Sequence, residues 1–447
     1  MKLRTVGACG TVTGSCHLLE QDGFRMLLDC GAYQGEMEEE NSAAFPFDAA
    51  QLDAVLLSHA HLDHCGRIPL LYARGYEGRV YSTAATLKLV KPILEDALKL
   101  MKEEAKRARR KGLPAEPPQW GEEELRRLTE RGKPIPYYAP RKIGPFRVTF
   151  KNAGHLPGSA FIEVQAAGKS LVFSGDLGNR RKETLPDPDY PRVADLVLSE
   201  STYGDRPHRP FQETLVEFAE VLAETLDRGG KVIIPSFALE RAQEILFYIR
   251  RFEAEGRIPV APVFVDSPLT TRVSEIYSQI QDFFSNEVRS LYRRGIDPFA
   301  PQKLRYTRSV DESKRLNELS GAAIIIAGSG MLSGGRILHH LRHHLPQKRN
   351  ALIFVGYQPR GGLGRRIISG ERAVRIMGHQ VAVRASVYTL GGFSGHAGRD
   401  ELLDWLSAEG RVVLVHGEDE ARASLARKLR ARGARVSIAR LGQVFAV

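Results

Sequence analysis

The sequence predicts an α/β protein in which one domain is interrupted by another. The first part, up to about residue 205, contains short apolar strands joined by Gly-rich turns, such as FRMLLDC and DAVLLSH. From residue 211 to about 383, strand and helix patterns alternate, which is typical of a parallel sheet flanked by helices. The last segment returns to strand patterns such as RVVLVHG. We therefore predict a domain that is opened by an insertion and completed by the C-terminal segment.

The predicted boundaries place the first part of this domain at 1–205, the inserted α/β domain at 206–383 and the completing part at 384–447. GDRPHRP at 204–210 has the composition of a linker. The strongest helical patterns are listed here by their ranges: 83–110, 211–227, 239–251, about 268–283, 335–344 and 400–408.

Charge and composition restrict the class of protein and its partners. The 447 residues carry a net charge of +11, with 43% hydrophobic and 26% charged residues, which is ordinary for a globular chain. A basic excess favours a polyanionic partner such as nucleic acid, although a basic surface that binds nothing explains it equally well. The sequence shows no signal peptide, no membrane span and four cysteines without CxxC spacing, so we expect a cytoplasmic protein with free thiols.

The motif Ser-His-Ala-His-Leu-Asp-His supplies four metal-ligand residues directly after the strand DAVLLS, namely His59, His61, Asp63 and His64. Two histidines at i and i+2 on extended backbone point to the same side, and the turn that follows aims the next pair at a neighbouring point. Imidazole and carboxylate ligands suit zinc. Four ligand residues exceed what one open catalytic site needs, so the motif favours two metal ions.

Further ligand-type residues recur at strand ends and beside glycines: His155 in NAGHLPGSA, Asp176 in LVFSGDLGN, His396 in GGFSGHAG and His416 in VVLVHGE. Each alone is weak, because a single histidine is more often a hydrogen-bonded structural residue. Their shared context nevertheless indicates that they converge with the first motif.

HAHLDH, followed by GH at 155 and SGD at 176, resembles the metallo-β-lactamase superfamily. The later motifs, Glu200 in SESTYG with His396 and His416, resemble its β-CASP nuclease branch, which includes ribonuclease J and the pre-mRNA cleavage and polyadenylation endonuclease subunit. The resemblance implies a four-layer αβ/βα metallo-β-lactamase sandwich with an inserted α/β β-CASP domain. It also implies the short bacterial form, which has neither archaeal KH modules nor the extra domain of ribonuclease J.

The resemblance assigns roles position by position. It implies that His59, His61 and His155 bind one zinc ion, that Asp63, His64 and His416 bind a second, and that Asp176 bridges both. Asp63 is then part of the catalytic set as well. Asp29 in LLDCG is expected to orient a ligand histidine, with a plain turn aspartate as the alternative. Glu200 is expected to hold His396, which would contact the scissile phosphate or protonate the leaving oxygen; a zinc ligand or a structural histidine is the alternative for His396.

The implied activity is cleavage of RNA, expected to be single-stranded. Two zinc ions can share an activated hydroxide and clamp a phosphodiester, which leaves 5′-phosphate and 3′-hydroxyl ends. Internal cleavage is favoured, and 5′-exonuclease activity is left open. The oligomeric state is also left open, a homodimer being one option.

Residues that could contact RNA come from the inserted domain. Gly-rich GSGMLSGGR before a helix suits phosphate and supplies Ser329, Gly330 and Arg336, with a tight turn as the alternative. GYQPRGGLGRR supplies Tyr357, on which a base could stack. The same segment supplies Arg360 and Arg365, which could contact phosphate. PSFALERAQE supplies Ser236 and Arg241, for which helix capping and a surface ion pair are an equal alternative.

Two other functions compete with a ribonuclease. A small-molecule hydrolase of the same superfamily, such as a thioesterase or a lactamase, would not need the inserted block or the motifs at Glu200, His396 and His416. A non-catalytic RNA-binding scaffold would not need the complete ligand set.

Overall fold

The computed structural model describes residues 1–114, 116–180, 182–356, 358, 361–407 and 410–447. It divides into two compact units: unit 1 is Met1–Pro207 together with His396–Val447, and unit 2 is His208–Gly395. The chain thus leaves unit 1, forms unit 2 and returns, as the alternation of patterns predicts.

The first segment of unit 1 is built mainly of strands. Its strands are β1 (Lys2–Thr5), β2 (Cys16–Gln21), β3 (Phe24–Cys30), β4 (Ala54–Leu56), β5 (Arg79–Ser82), β6 (Gly132–Pro134), β7 (Arg141–Ile143), β8 (Phe146–Asn152), β9 (Ala160–Ala166), β10 (Lys169–Phe173) and β11 (Leu196–Ser199). Its helices are α1 (Leu62–Cys65), α2 (Ile68–Ala73), α3 (Ala84–Arg110) and α4 (Glu122–Arg131), with 3₁₀ helices at Gly35–Ser42 and Ala49–Gln51. The hydroxyl of Thr83 accepts a hydrogen bond from the amide of Thr86 and so caps α3 at the predicted start.

Unit 2 alternates strands and helices. Its strands are β12 (Lys231–Pro235), β13 (Val263–Asp266), β14 (Leu304–Tyr306), β15 (Ala323–Ala327), β16 (Ala351–Phe354), β17 (Ala373–Ile376), β18 (His379–Ala382) and β19 (Ser386–Thr389). Its helices are α5 (Phe211–Asp227), α6 (Arg241–Ala254), α7 (Pro268–Tyr277), α8 (Asn286–Arg293), α9 (Val310–Leu316), α10 (Ile337–His344) and α11 (Leu363–Ile368), with 3₁₀ helices at Gln281–Phe283 and Gly391–Phe393.

The returning segment of unit 1 alternates helices and strands. It contains α12 (Arg399–Trp405), β20 (Arg411–Leu414), α13 (Asp419–Ala431), β21 (Arg435–Ile438) and β22 (Val444–Ala446). Both ends of this segment join sheets of the first segment, because β20 pairs with β11 and β22 pairs with β1.

Unit 1 is a sandwich of two sheets. Among the described residues, one sheet has the strand order β22-β1-β2-β3-β4-β5-β6 and the other β21-β20-β11-β10-β9-β8-β7. Apolar side chains of both sheets, including Leu28, Leu56, Phe150 and Leu198, form one buried core between them. Leu402 and Leu425, from α12 and α13, cover the outer face of the second sheet, and α1, α3 and α4 contact strands of the first. Unit 1 therefore has the predicted four-layer arrangement.

Unit 2 has a parallel sheet at its centre. Its described strands follow the order β14-β13-β15-β12-β16-β19, all in parallel pairs, and β17 with β18 forms a separate antiparallel pair. The inner strands KVIIP, AIIIA and ALIF are buried at every position, as expected for strands with helices on both faces. This confirms the inserted α/β domain.

The return to unit 1 occurs later than the predicted residue 384. Ser386–Thr389 pairs in parallel with β16, so this strand belongs to the sheet of unit 2, and the division falls after Gly395. A short strand pattern does not show which of two sheets it will join.

Among the described residues, no helix combines the length and apolar character needed to cross a membrane.

Candidate metal centre and active site

The predicted ligands lie where the strands of unit 1 end. His59 follows β4, His155 follows β8, Asp176 follows β10 and His416 follows β20. Strands β8, β10, β11 and β20 run in the same direction, since β9 is antiparallel to both β8 and β10 while β11 and β20 are parallel to β10. Their carboxyl ends therefore meet at one edge, which brings ligands distant in sequence together.

The first ligand group consists of His59, His61, His155 and Asp176. Nδ1 of His61 lies 3.2 Å from Nε2 of His59 and 3.1 Å from Nε2 of His155. Oδ2 of Asp176 lies 3.5 Å from Nε2 of His59 and 3.6 Å from Nε2 of His155. Three imidazoles and one carboxylate oxygen thus face a common point.

The second group consists of Asp63, His64, His416 and, again, Asp176. Nε2 of His64 lies 3.2 Å from Nε2 of His416 and 3.2 Å from Oδ1 of Asp176. Oδ2 of Asp63 lies 3.4 Å from Nε2 of His416. The two oxygens of Asp176 are therefore divided between the groups, which is the arrangement of a bridging carboxylate.

The donor atoms fit tetrahedral zinc. With Zn–N bonds of about 2.0–2.1 Å, two nitrogens on one tetrahedral ion lie about 3.4 Å apart. The measured nitrogen separations of 3.1 to 3.2 Å are close to this value. Burial lowers the pKa of both His59 and His61, so these rings are neutral at pH 7 and can offer lone pairs.

The surroundings of the Asp176 carboxylate favour a bound cation. It is buried, and its Oδ1 makes no hydrogen bond to any residue that the structure describes. Burial opposes its ionisation, but the imidazoles of His416 and His64 outweigh burial and hold the pKa of the carboxyl well below its usual range. A buried anion of this kind is stabilised by bound metal.

Asp29 orients one ligand from behind. Its Oδ2 lies 2.6 Å from Nδ1 of His64, and Ser58 donates its backbone N–H and its hydroxyl to the same carboxylate at 2.7 and 2.8 Å. A proton on Nδ1 leaves Nε2 of His64 free to bind metal. Asp29 has a φ of 59°, a conformation that non-glycine residues seldom adopt. These contacts place the carboxylate of Asp29 directly behind the ring of His64.

A close backbone contact explains why the last residue of LLDCG is glycine. A Cβ at Gly31 would lie 1.6 Å from the carbonyl oxygen of Asp63. The chain after Asp29 therefore passes directly against the ligand-bearing turn.

His396 lies beside the two ligand groups. Its Nδ1 is 3.4 Å from Oε1 and from Oε2 of Glu200, and 3.8 Å from Oδ2 of Asp176. Glu200 is held in turn by the amides of Leu177, at 2.6 Å, and Thr202, at 3.3 Å. Burial opposes protonation of His396, but the carboxylates of Glu200 and Asp176 outweigh it and raise the pKa of His396 to about 9. The carboxylate of Glu200 therefore favours the protonated form of His396 beside the two ligand groups.

Three of the residues predicted to bind RNA, all in unit 2, have partners within that unit. Ser236 is buried, and its hydroxyl donates to the carbonyl of Phe237. Arg241 is buried against the carboxylates of Glu240 and Glu244, because α6 turns this side inward.

Arg336 is the third of these residues. It lies 2.7 Å from Oδ1 of the buried Asp266 and donates to the carbonyl of Thr307. The guanidinium of Arg336 is therefore bound within unit 2, where the carboxylate of Asp266 neutralises its positive charge.

The other predicted RNA residues differ in accessibility. Ser329 shares a hydrogen bond with Ser333, the carbonyl of Gly330 accepts one from Gln358, and Arg365 is exposed on α11. Tyr357 and Arg360 lie outside the described residues.

Sequence reasoning missed two residues that support the candidate ligands. Ser58 contacts both Asp29 and His59, and Thr202 lies 3.2 Å from Nδ1 of His416. The signal for both was available, since Ser58 lies in SHAHLDH and Thr202 in SESTYG.

Three family profiles match the chain in order. They describe the metallo-beta-lactamase superfamily over residues 9–235, the Beta-Casp domain over 242–367 and the Zn-dependent metallo-hydrolase RNA specificity domain over 380–439. The first spans half of the chain.

Similar proteins agree with these profiles. The chain is 52% identical to "Ribonuclease TTHA0252" of Thermus thermophilus, with 99% of each chain covered. It is 32% identical to "Transcription termination factor FttA" of Methanocaldococcus jannaschii, over 94% of this chain and 67% of that relative. A crystal structure of a protein of unknown function from Enterococcus faecalis V583 has the same fold, with a TM-score of 0.56 and 12% identity over 100% of this chain and 99% of the other.

Proposed function

The chain belongs to the metallo-β-lactamase superfamily, in its β-CASP branch, and on that premise we propose that it is a ribonuclease that hydrolyses RNA phosphodiester bonds with two zinc ions. The observation that carries the proposal is the division of Asp176 between two ligand groups, with the His396–Glu200 pair beside them. Of the relatives described above, the 52% identical one bears the name ribonuclease.

The ligands would be shared as follows. His59, His61 and His155 would hold one zinc ion, Asp63, His64 and His416 the other, and Asp176 both. Bound there, zinc supplies Lewis-acid activation of water and neutralises charge on the phosphate.

The protein's own groups control the geometry and the protons. Asp29 keeps the proton on Nδ1 of His64, so that Nε2 faces the metal position. Glu200 keeps His396 protonated, and His396 then donates its proton to the 3′-oxygen that leaves. The products are a 5′-phosphate and a 3′-hydroxyl, and we propose internal cleavage of single-stranded RNA as the main mode.

Product mapping tests this proposal. The zinc-loaded chain is incubated with end-labelled single-stranded and hairpin RNA, with and without EDTA, and in parallel with nitrocefin and a thioester. We expect EDTA-sensitive internal fragments with 5′-phosphate ends and a zinc content approaching two ions per chain. Shortening from the 5′ end alone would indicate an exonuclease instead.

Two variants make the test specific to the site. His155→Ala should lose zinc and RNA cleavage together, whereas His379→Ala, at an exposed position of unit 2, should change neither. Hydrolysis of nitrocefin or the thioester without RNA cleavage would replace the proposal with a small-molecule hydrolase. RNA binding without any hydrolysis would replace it with a scaffold, and a maximum of one zinc ion would exclude the two-zinc centre.

A further inference from the structure

Hydrogen bonds hold the segment that follows Glu200 next to the candidate ligand His416. The amide and hydroxyl of Ser201 donate to the carbonyls of His416, at 3.0 Å, and Val415, at 2.7 Å. At the other end of the segment, the carbonyl of Arg206 accepts a hydrogen bond from the amide of Arg399, at 3.0 Å. Both ends of residues 201–206 are therefore held within unit 1.

At Gly204 this segment packs closely against helix α13. A Cβ at Gly204 would lie 2.6 Å from the carbonyl oxygen of Ala421 and 2.8 Å from Cβ of Leu425, both on α13. Only glycine permits this approach without displacement of the helix. The side chain of the preceding residue, Tyr203, therefore has a defined position.

Tyr203 and Arg206 extend outward from His396. The ring centroid of Tyr203 lies 6.2 Å from that of His396, with 50° between the planes. The guanidinium carbon of Arg206 lies 5.3 Å from the Tyr203 centroid. The side chain of His396 is 22% exposed and that of Arg206 is 55% exposed. An aromatic ring beside His396 and an exposed cation beside that ring thus adjoin the candidate site.

This sequence of groups matches the chemistry of a nucleotide. Nucleobases stack on aromatic side chains without regard to sequence, and arginine binds phosphate through several N–H donors. Nη1 of Arg206 donates to Oδ2 of Asp205 at 3.1 Å. The guanidinium also lies over the tyrosine ring, which helps to orient it.

We propose that Tyr203 and Arg206 bind the nucleotide that carries the leaving 3′-oxygen of single-stranded RNA. Tyr203 stacks on its base, and Arg206 contacts the phosphate on its 5′ side. The inference rests on the proposed function, in which His396 protonates that oxygen. The nucleotide to which the oxygen belongs must then lie on the His396 side of the scissile bond, where Tyr203 is the adjacent ring.

The test combines protein variants with RNAs that lack one base. A set of RNAs with a single defined cleavage site is prepared with an abasic residue at each position around it. Wild type, Tyr203→Ala, Tyr203→Phe and the exposed control Tyr138→Ala are compared for kcat, KM, zinc content and melting temperature. Stacking predicts that Tyr203→Ala raises KM by about 10- to 100-fold, with kcat within about twofold of wild type. Tyr203→Phe keeps the ring and should therefore restore most of the loss in KM, whereas the control Tyr138→Ala should behave as wild type.

Position along the RNA is the decisive readout. For wild type, removal of the base immediately 5′ of the cleaved bond should raise KM by about the same factor as Tyr203→Ala, and for Tyr203→Ala it should have no further effect. Arg206→Ala should raise KM for all of these RNAs, and Arg206→Lys should restore most of the loss.

Four outcomes would overturn the inference. They are coupling of Tyr203 to a base 3′ of the cleaved bond, equal losses with and without the base, loss of zinc in Tyr203→Ala, and failure of Tyr203→Phe to restore KM. Each of these leaves RNA cleavage by wild type intact, so they are distinguishable from failure of the proposed function. A wild type that cuts no RNA would overturn both.

Discussion

His64 illustrates how one buried side chain is prepared for its role. Its Nδ1 lies 2.6 Å from Asp29, and Ser58 donates two further hydrogen bonds to that carboxylate. Because the carboxylate is fully engaged behind the ring, the opposite nitrogen of His64 faces Asp176 and His416. At this scale, hydrogen bonds behind the ligands decide which atoms face the metal position.

His396 provides the prediction that separates proton donation from metal binding. His396→Ala should retain both zinc ions and RNA binding, while its single-turnover cleavage rate falls by about 10²–10⁴-fold, the usual contribution of a positioned acid. Asp176→Ala should instead lose metal, since Asp176 serves both ligand groups. Zinc analysis, filter retention and single-turnover cleavage measure the contrast. Loss of zinc from His396→Ala would identify this histidine as a ligand, because its Nδ1 is only 3.8 Å from Asp176.

His344 in unit 2 provides a pH-dependent prediction. It is buried, neither ring nitrogen has a hydrogen-bond partner among the described residues, and burial with the nearby charges of His340 and Lys231 lowers its pKa to about 3. Because the unfolded chain binds the proton at about pH 6.5, stability should fall as the pH drops below that value.

The size of this effect follows from the pKa difference. When the pH is lowered from 7 to 5, protonation of His344 in the unfolded chain should reduce the free energy of unfolding by about 2 kcal/mol. Between pH 7 and pH 5, the free energy of unfolding of His344→Leu should therefore fall by about 2 kcal/mol less than that of wild type. Urea unfolding at both pH values, under the same metal conditions, measures this difference. The exposed control His379→Leu should match wild type. Equal pH dependence in His344→Leu and wild type would contradict a neutral buried His344.

At the scale of elements, strand ends carry the polar groups of both units. In unit 1 they carry the ligands, and in unit 2 the end of β13 carries Asp266, which is fully buried. Asp266 accepts hydrogen bonds from Ser313, at 2.6 Å, and Arg336, at 2.7 Å, and lies 2.7 Å from Nε2 of His340. This network joins β13 to α9 and α10 and fixes the start of the helix that follows the Gly-rich loop.

Removal of the Asp266 carboxylate should destabilise unit 2. Asp266→Ala leaves the partly buried Arg336 without its counter-charge, and breaking such a pair costs about 3–5 kcal/mol. Asp311→Ala, on the exposed surface of α9, is the matched control and should change stability by less than about 0.5 kcal/mol. Urea unfolding measures both variants. A similar small loss in both would show that the network contributes little.

At the scale of the whole molecule, the net charge of +11 makes a prediction about RNA binding. If binding rests on phosphate contacts, counterions are released, and affinity measured by filter retention should fall by more than about tenfold between 50 and 200 mM salt. Affinity that stays constant over this range would argue against phosphate contacts.

Arg365 allows a finer version of the same measurement. Among the arginines of unit 2 that the sequence predicts to bind RNA, Arg365 is the one that is both exposed and within the described residues. Arg365→Ala should reduce the slope of log affinity against log salt by about one, and the exposed Arg293→Ala on α8 should leave it unchanged. An unchanged slope in Arg365→Ala would exclude this residue from the RNA contacts.

The interruption of one unit by another and the residues of the candidate metal centre could be predicted from the sequence. Helices such as 83–110 and 211–227 have strong periodicity and capping residues, and the structure places them at Ala84–Arg110 and Phe211–Asp227. The ligand residues could be identified because local motifs such as HAHLDH place several donors on one turn, and a family resemblance supplied the rest.

Only the tertiary structure decided the features that depend on which faces meet. Arg241 and Arg336 are charged residues near Gly-rich loops, and nothing local shows that Glu244 and Asp266 neutralise them. The strand Ser386–Thr389 joins unit 2 because β16 offers it a free edge, which its four residues do not encode. Likewise, the proximity of the Tyr203 and His396 rings joins two segments that are distant in sequence. The sequence determines local geometry and ligand chemistry through short-range sterics and residue type, whereas charge pairing and sheet membership arise from contacts between distant segments that form only when the chain packs.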